Sequence, residues 1–148
     1  MPTWRDADTK KEKAAQLKKM EEILDTFESL LDDSTVLLVN LHFLLSSEID
    51  CNKYKHIRYF SSDYDTYEIL NACDGLITDY SSAFFDFAVT GKKIILFAFD
   101  KAEYLSNRGL YMPFESLPFP IVETVNEVVE LFKSETKVPE DFIKEYCP

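Results

Sequence analysis

Gly75-Leu76-Ile77-Thr78-Asp79-Tyr80-Ser81-Ser82-Ala83-Phe84-Phe85-Asp86-Phe87-Ala88 is the stretch around which this 148-residue chain is organised. Its first part is a short apolar run that ends in polar residues, as a buried strand does. Its last part, Ser82 to Val89, places Phe85, Phe87, Ala88 and Val89 mostly on one side of a helix. Between the two lie two hydroxyl residues at the position of a helix N-cap. Strand, polar turn and helix N-terminus together form a geometry that holds an anion, because the first N–H groups of a helix lack intrahelical partners.

Working outward, the same alternation recurs. Thr9 to about Leu31 carries Ala14, Leu17, Met20, Ile23, Leu24, Phe27 and Leu31 at three- and four-residue spacing, an amphipathic helix. Asp32-Asp33-Ser34 is a turn. Thr35 to Asn40 is apolar and β-branched without alternation, which reads as a strand buried on both faces. A second strand spans His56 to Phe60, and a short helix spans Thr66 to Cys73, with Tyr67, Leu70 and Cys73 inward. Strand Leu76–Asp79 and helix Ser82 to about Thr90 follow, closed by Gly91. Lys93 to Phe97 is the next buried strand, and Lys101 to Leu105 a helical turn. Asn107 to Pro120 reads as an irregular loop and Ile121-Val122 as a brief strand. Thr124 to Lys133 is a helix with Val125, Val128, Val129 and Phe132 inward, and Pro139 to Tyr146 a last short one. This order predicts one α/β domain over residues 1–148, a Rossmann-like parallel sheet with helices on both faces. Ligands bind beyond the carboxyl ends of the strands in such sheets.

Composition narrows the function. A formal net charge of −11 argues against a general nucleic-acid binder and against this segment alone holding an anionic membrane. The apolar run Val36 to Leu45 is too short to span a bilayer. The first residues lack a signal-peptide pattern. The three cysteines, Cys51, Cys73 and Cys147, have neither zinc-ligand spacing nor a disulfide framework, which fits a reduced cytoplasmic setting. No metal or cofactor motif is present.

On the residues alone, Ser81 and Ser82 read as N-caps or as a phosphate cradle. His42, just past the carboxyl end of a strand, reads as a structural hydrogen-bonder or as a phosphate-facing group. His56 opens a strand and reads as incidental. Arg5 and Arg108 read as surface charges or phosphate clamps. Asp86 lies four residues past Ser82, on the same side of the helix. Asp79 reads as a structural acceptor.

Several landmarks resemble the CDP-glycerol glycerophosphotransferases, which polymerise the glycerol phosphate chains of bacterial teichoic acids. Asp79-Tyr80-Ser81-Ser82 resembles their Asp-Tyr-Ser-Ser motif. Pro2-Thr3-Trp4-Arg5 resembles their Pro-Thr-Trp-Arg segment, and Leu41-His42-Phe43-Leu44 their Leu-His-Tyr-Leu. Asn107-Arg108-Gly109-Leu110-Tyr111, followed by Pro118-Phe119-Pro120, resembles their Arg-Gly-Phe-Tyr and Pro-Gly-Pro region. The motifs run in the family's order from Pro2 to about Phe132.

The resemblance implies the C-terminal, donor-nucleotide-binding half of a GT-B fold. It implies CDP-glycerol, or a related nucleotide-activated alditol, as ligand. His42 would then be catalytic, and Arg5, Ser81, Ser82, Asp86 and Arg108 would bind the donor. Ribitol transferases share these motifs. Asn40 departs from the pattern, since the family often has a basic residue two before its motif histidine. The family's His-Gly motif belongs to its other half and does not occur here. The chain therefore reads as an excised domain or a short gene product. Its partner would be an N-terminal half-domain, and any membrane association at the inner face would come through segments outside this sequence. The alternatives are a catalytically inactive nucleotide- or partner-binding module, and last a flavodoxin-like signalling domain.

Overall fold

The computed structural model describes residues 10–41, 48–60, 63–100, 116–135 and 137–146. The chain divides into two compact units, residues 1–61 and 62–148. Every strand pairing among the described residues is parallel.

In the first unit, helix α1 (Lys10–Leu30) buries Met20, Leu24 and Phe27. Their spacing of four and three residues is one stripe of the helix. Ala14 is exposed, so the buried stripe is confined to the later turns. Strand β1 (Leu37–Val39) pairs with β2 (Ile57–Tyr59), Leu37 opposite Ile57 and Val39 opposite Tyr59. The expectation that this strand is buried on both faces is corrected: Val36 is 60% and Leu38 41% exposed. Among the described residues β1 pairs only with β2.

The start of β2 is tied to the end of α1 by side chains. Glu28 accepts the backbone N–H of Lys55 at 2.9 Å and of His56 at 3.0 Å. The His56 ring sits between two acids, Nδ1 3.1 Å from Glu28 and Nε2 2.9 Å from Asp33. His56 is thus a structural clamp. Burial opposes ionisation of Glu28, but the hydrogen bonds from His56 and Lys55 outweigh it and hold the carboxyl below its usual value. The Tyr54 hydroxyl donates to Asp25 at 2.7 Å, and burial together with that bond pushes it up to about 12.

In the second unit, β3 (Gly75–Thr78), β4 (Lys93–Phe97) and β5 (Ile121–Val122) form a sheet in that order. The register sets Gly75 opposite Lys93 and Thr78 opposite Leu96. Four of the five β4 residues, Ile94 to Phe97, are buried, because this central strand has a partner on each side. Helix α2 (Thr66–Ala72) is capped by Asp65, whose carboxylate accepts the N–H groups of Tyr67 and Glu68. Leu70 and Cys73 pack on the core as expected, but Tyr67 is 64% exposed and does not face inward.

Helix α3 (Ala83–Ala88) is shorter than expected and turned differently. Phe84, Phe87 and Ala88 are buried, Phe85 is half-buried, and Val89 is 60% exposed. The partners decide this. Phe84 and Phe85 meet Phe119 and Phe142, the latter from α5 (Glu140–Tyr146), with ring centroids 5.7 and 6.0 Å apart. Gly91, at φ 66°, ends the turn after α3 in the left-handed region. Helix α4 (Val125–Lys133) begins at a capping box of Thr124 and Glu127 and buries Val125, Val128 and Val129. Phe132, expected inward, is half-buried against Lys93 and Gly75. The expected helical turn over 101–105 lies outside the described residues.

The amino end of this sheet is closed by two lysines. Lys92 Nζ donates to the carbonyls of Asn71 and Cys73 at the end of α2, at 2.5 and 2.9 Å. Lys93 Nζ donates to Leu131, at 3.1 Å, and to Phe132 and Ser134 at the end of α4. Each cation meets carbonyls that a helix end leaves without intrahelical partners.

Candidate functional site

The buried polar side chains of the described residues are Thr78, Asp79 and Asp100. All three lie at or just beyond the carboxyl ends of β3 and β4, the edge where parallel sheets place ligands. Parallel pairing puts Thr78 beside Leu96, so the two strand ends emerge side by side.

From Thr78 the chain turns through Asp79, Tyr80 and Ser81 into α3. Thr78 and Asp79 are each 2% exposed, and the Thr78 Oγ1 is buried without a hydrogen-bond partner. Tyr80 is half-buried, its ring packed against the aromatic core and its hydroxyl donating to Asp100 at 3.2 Å. Asp100 is 9% exposed. A buried carboxylate is costly unless other groups satisfy it.

The two serines divide their roles in a way the sequence did not indicate. Of the two readings of Ser82, N-cap or cradle, the structure does not give it the capping bond. Its backbone is already helical, at φ −65° and ψ −3°, and its side chain makes no capping bond. Ser81 Oγ accepts the Ala83 N–H instead, at 3.4 Å. Ser82 is exposed, and so is Asp86 four residues on. A helix of six residues has a small dipole, so charge attraction at this turn comes from hydroxyl and N–H groups more than from the helix as a whole.

Among the expected site residues, the structure thus places Ser81 and Ser82 at the turn after β3 and Asp86 on α3, one helical turn further on. His42, Arg5 and Arg108 lie outside the described residues. The contact between half-buried Tyr80 and buried Asp100 was not anticipated. The one sequence signal for Asp100 is an acid just beyond the apolar run Ile94 to Phe97. Cys51 is buried and Cys73 half-buried, and burial raises both thiols above their ordinary value. Among the described residues no group of His, Cys, Asp or Glu could hold a metal ion, and no helix is long and apolar enough to cross a membrane.

Comparison with known proteins gives a consistent result. Residues 1–146 match the family described as CDP-Glycerol:Poly(glycerophosphate) glycerophosphotransferase. A teichoic acid poly(glycerol phosphate) polymerase of Bacillus spizizenii is 33% identical over 154 aligned residues, covering 99% of this chain and 39% of the relative. A teichoic acid glycerol-phosphate transferase of Staphylococcus aureus is 33% identical over 97% of this chain and 37% of its own length. Among solved structures, the wall teichoic acid polymerase TagF superposes with a TM-score of 0.79 at 30% identity, covering 99% of this chain and 38% of TagF. A variant of TagF has also been solved after a 15 minute soak with CDPG. The chain spans about two fifths of the length of these relatives.

Proposed function

This chain belongs to the CDP-glycerol:poly(glycerophosphate) glycerophosphotransferase family, and from that premise we propose that residues 1–148 are its donor-nucleotide-binding domain. The ligand is CDP-glycerol or a related CDP-alditol. The observation that carries the reading is the Asp79-Tyr80-Ser81-Ser82 turn. It leaves β3 at the ligand-binding edge of a parallel sheet, with the Ser82 side chain uncommitted to capping.

On this reading Ser81 and Ser82 donate hydroxyl and N–H hydrogen bonds to the pyrophosphate. Asp86, exposed beside them, orients the glyceryl or ribose hydroxyls rather than the phosphates, since two anions repel. Arg5 and Arg108 contribute guanidinium donors suited to phosphate oxygens. The reaction is phosphoryl transfer. A hydroxyl oxygen of the acceptor polymer forms a bond to the β-phosphorus while the bond from that phosphorus to the bridging oxygen breaks. CMP leaves with the electron pair. His42 delivers a proton to the departing phosphate or neutralises its charge, and the acceptor's proton passes to solvent or a base. Positioning and charge neutralisation dominate catalysis of this kind.

The cleft of a GT-B enzyme has two walls, and these residues supply one. The other wall, with the acceptor site, is then an N-terminal half-domain, and the assembled enzyme works in the cytoplasm at the inner face of the membrane. This chain alone binds donor without turning it over. A nucleotide-binding module with no transfer role is the second reading.

Calorimetric titration separates these readings from no function at this turn. The account expects CDP-glycerol and CMP to bind weakly, and Ser81→Ala with Ser82→Ala to abolish binding while the protein stays folded. Binding unaffected by both substitutions would remove the turn from the site. Saturable CMP release by the chain alone, in the presence of a glycerol phosphate primer and lost in His42→Ala, would make it a complete transferase.

A further inference from the structure

We propose that Asp100 is a positioning residue, acting through the Tyr80 hydroxyl to hold the turn that presents Ser81 and Ser82. The proposal deepens the donor-site reading above and rests on it for its ligand.

Side-chain capping of the helix that follows the turn is slight. The capping bond of α3 is the 3.4 Å contact from the Ala83 N–H to Ser81 Oγ, at the weak end of the range, and Ser82 adds none. The helix beyond has six residues. Tyr80, between Asp79 and Ser81, is anchored at both ends of its side chain. Its ring packs against the core cluster built by Phe84, Phe87 and Leu96, and its hydroxyl donates to Asp100 at 3.2 Å. That contact joins the segment after β3 to the segment after β4, twenty residues apart in sequence. It crosses the edge where the sheet would receive a ligand. A rigid turn matters because serine hydroxyls displaced by even an ångström lose their geometry toward a phosphate.

A hydrogen bond to a carboxylate is stronger than one between neutral groups, and Asp100 is largely buried. The pair therefore suits a brace. It does not suit a direct ligand contact, because a carboxylate repels a pyrophosphate and the Tyr80 hydroxyl is already donating.

The test is a double-variant cycle on the full chain, with CDP-glycerol as the probe. Tyr80→Phe keeps the ring and removes the donor. Asp100→Ala removes the acceptor, and Asp100→Asn keeps one. The expected result is that Tyr80→Phe and Asp100→Ala each weaken binding roughly tenfold, the scale of one charge-assisted hydrogen bond. The double variant should be no weaker than the worse single, and Asp100→Asn should recover most of the affinity. Hydrogen exchange at the Ala83 amide should quicken while amides of β4 keep their protection. Additive losses, unchanged affinity, or a loss that follows a general fall in protection would overturn the proposal. If the wild-type chain binds no CDP-glycerol, the donor reading fails by itself. The brace is then judged on Ala83 exchange: faster in Tyr80→Phe upholds it, and unchanged removes it.

Discussion

The two ends of the β3–β4–β5 sheet use polar residues in opposite ways. At the amino end, Lys92 and Lys93 are committed to the terminal carbonyls of α2 and α4, and Gly75 lets Phe132 close over the strand. Both of these lysine charges support helix ends. At the carboxyl end, Thr78, Asp79 and Asp100 are buried, the Thr78 hydroxyl has no partner, and the Ser82 side chain makes no capping bond. Buried polar groups gathered at the edge where parallel sheets bind ligands are what the proposed donor site rests on. The contrast predicts that substitutions at the amino end lower stability and spare binding, whereas those at the carboxyl end do the reverse.

The largest stability effect should come from Gly75→Ala. A Cβ there would lie 2.8 Å from a ring carbon of Phe132 and 3.2 Å from the Lys93 carbonyl oxygen. Overpacking of this kind costs about 1–3 kcal/mol. Denaturant unfolding should show the loss, with CDP-glycerol affinity per folded molecule unchanged. Lys93→Met should follow, at about 1–2 kcal/mol, because carbonyls at the end of α4 lose a charged donor. If either substitution weakens donor binding at full folding, the two ends are not separable.

Thr124→Ala, which breaks the capping box of α4, should cost about 1 kcal/mol. It should also change the pH dependence. The Thr124 hydroxyl, then its N–H, holds the Glu127 carboxyl below its usual 4.5. A lowered folded value contributes stability that is complete above 4.5 and fades as pH falls through the lowered value. The difference between wild type and Thr124→Ala should therefore shrink on acidification, as thermal melts at stepped pH would show. Glu28 and Asp33, both lowered, act with the same sign in the first unit.

The smallest stability effect should be that of Ser82→Ala, within about 0.5 kcal/mol, since no capping bond is lost. A cost near that of Thr124→Ala would show that Ser82 is a cap after all.

Much of this was legible in the sequence, and the rest was not for physical reasons. The apolar run Ile94–Phe97 and the pattern Val125, Val128, Val129 carry their own signal, so β4 and α4 stand where expected. Strand β3 shifted by one residue, from Leu76–Asp79 to Gly75–Thr78. Which residues of a short helix face inward is set by distant partners. Phe84 is buried because Phe119 lies across from it, and Val89, apolar but past the last turn, is not. The Asp-Tyr-Ser-Ser turn announced itself through its motif, while the Tyr80–Asp100 contact joins two strand ends that no local pattern relates. His56 looked incidental because its two acids lie 28 and 23 residues away.

The most direct test of the account is amide shift mapping of the labelled chain titrated with CDP-glycerol to millimolar concentration. The account predicts that the amides of Ser81, Ser82 and Ala83 move together and saturably, that those of Lys92 and Lys93 stay in place, and that Ser82→Ala weakens the response. No shift at the turn, or shifts clustered around Lys92 and Lys93, would contradict it.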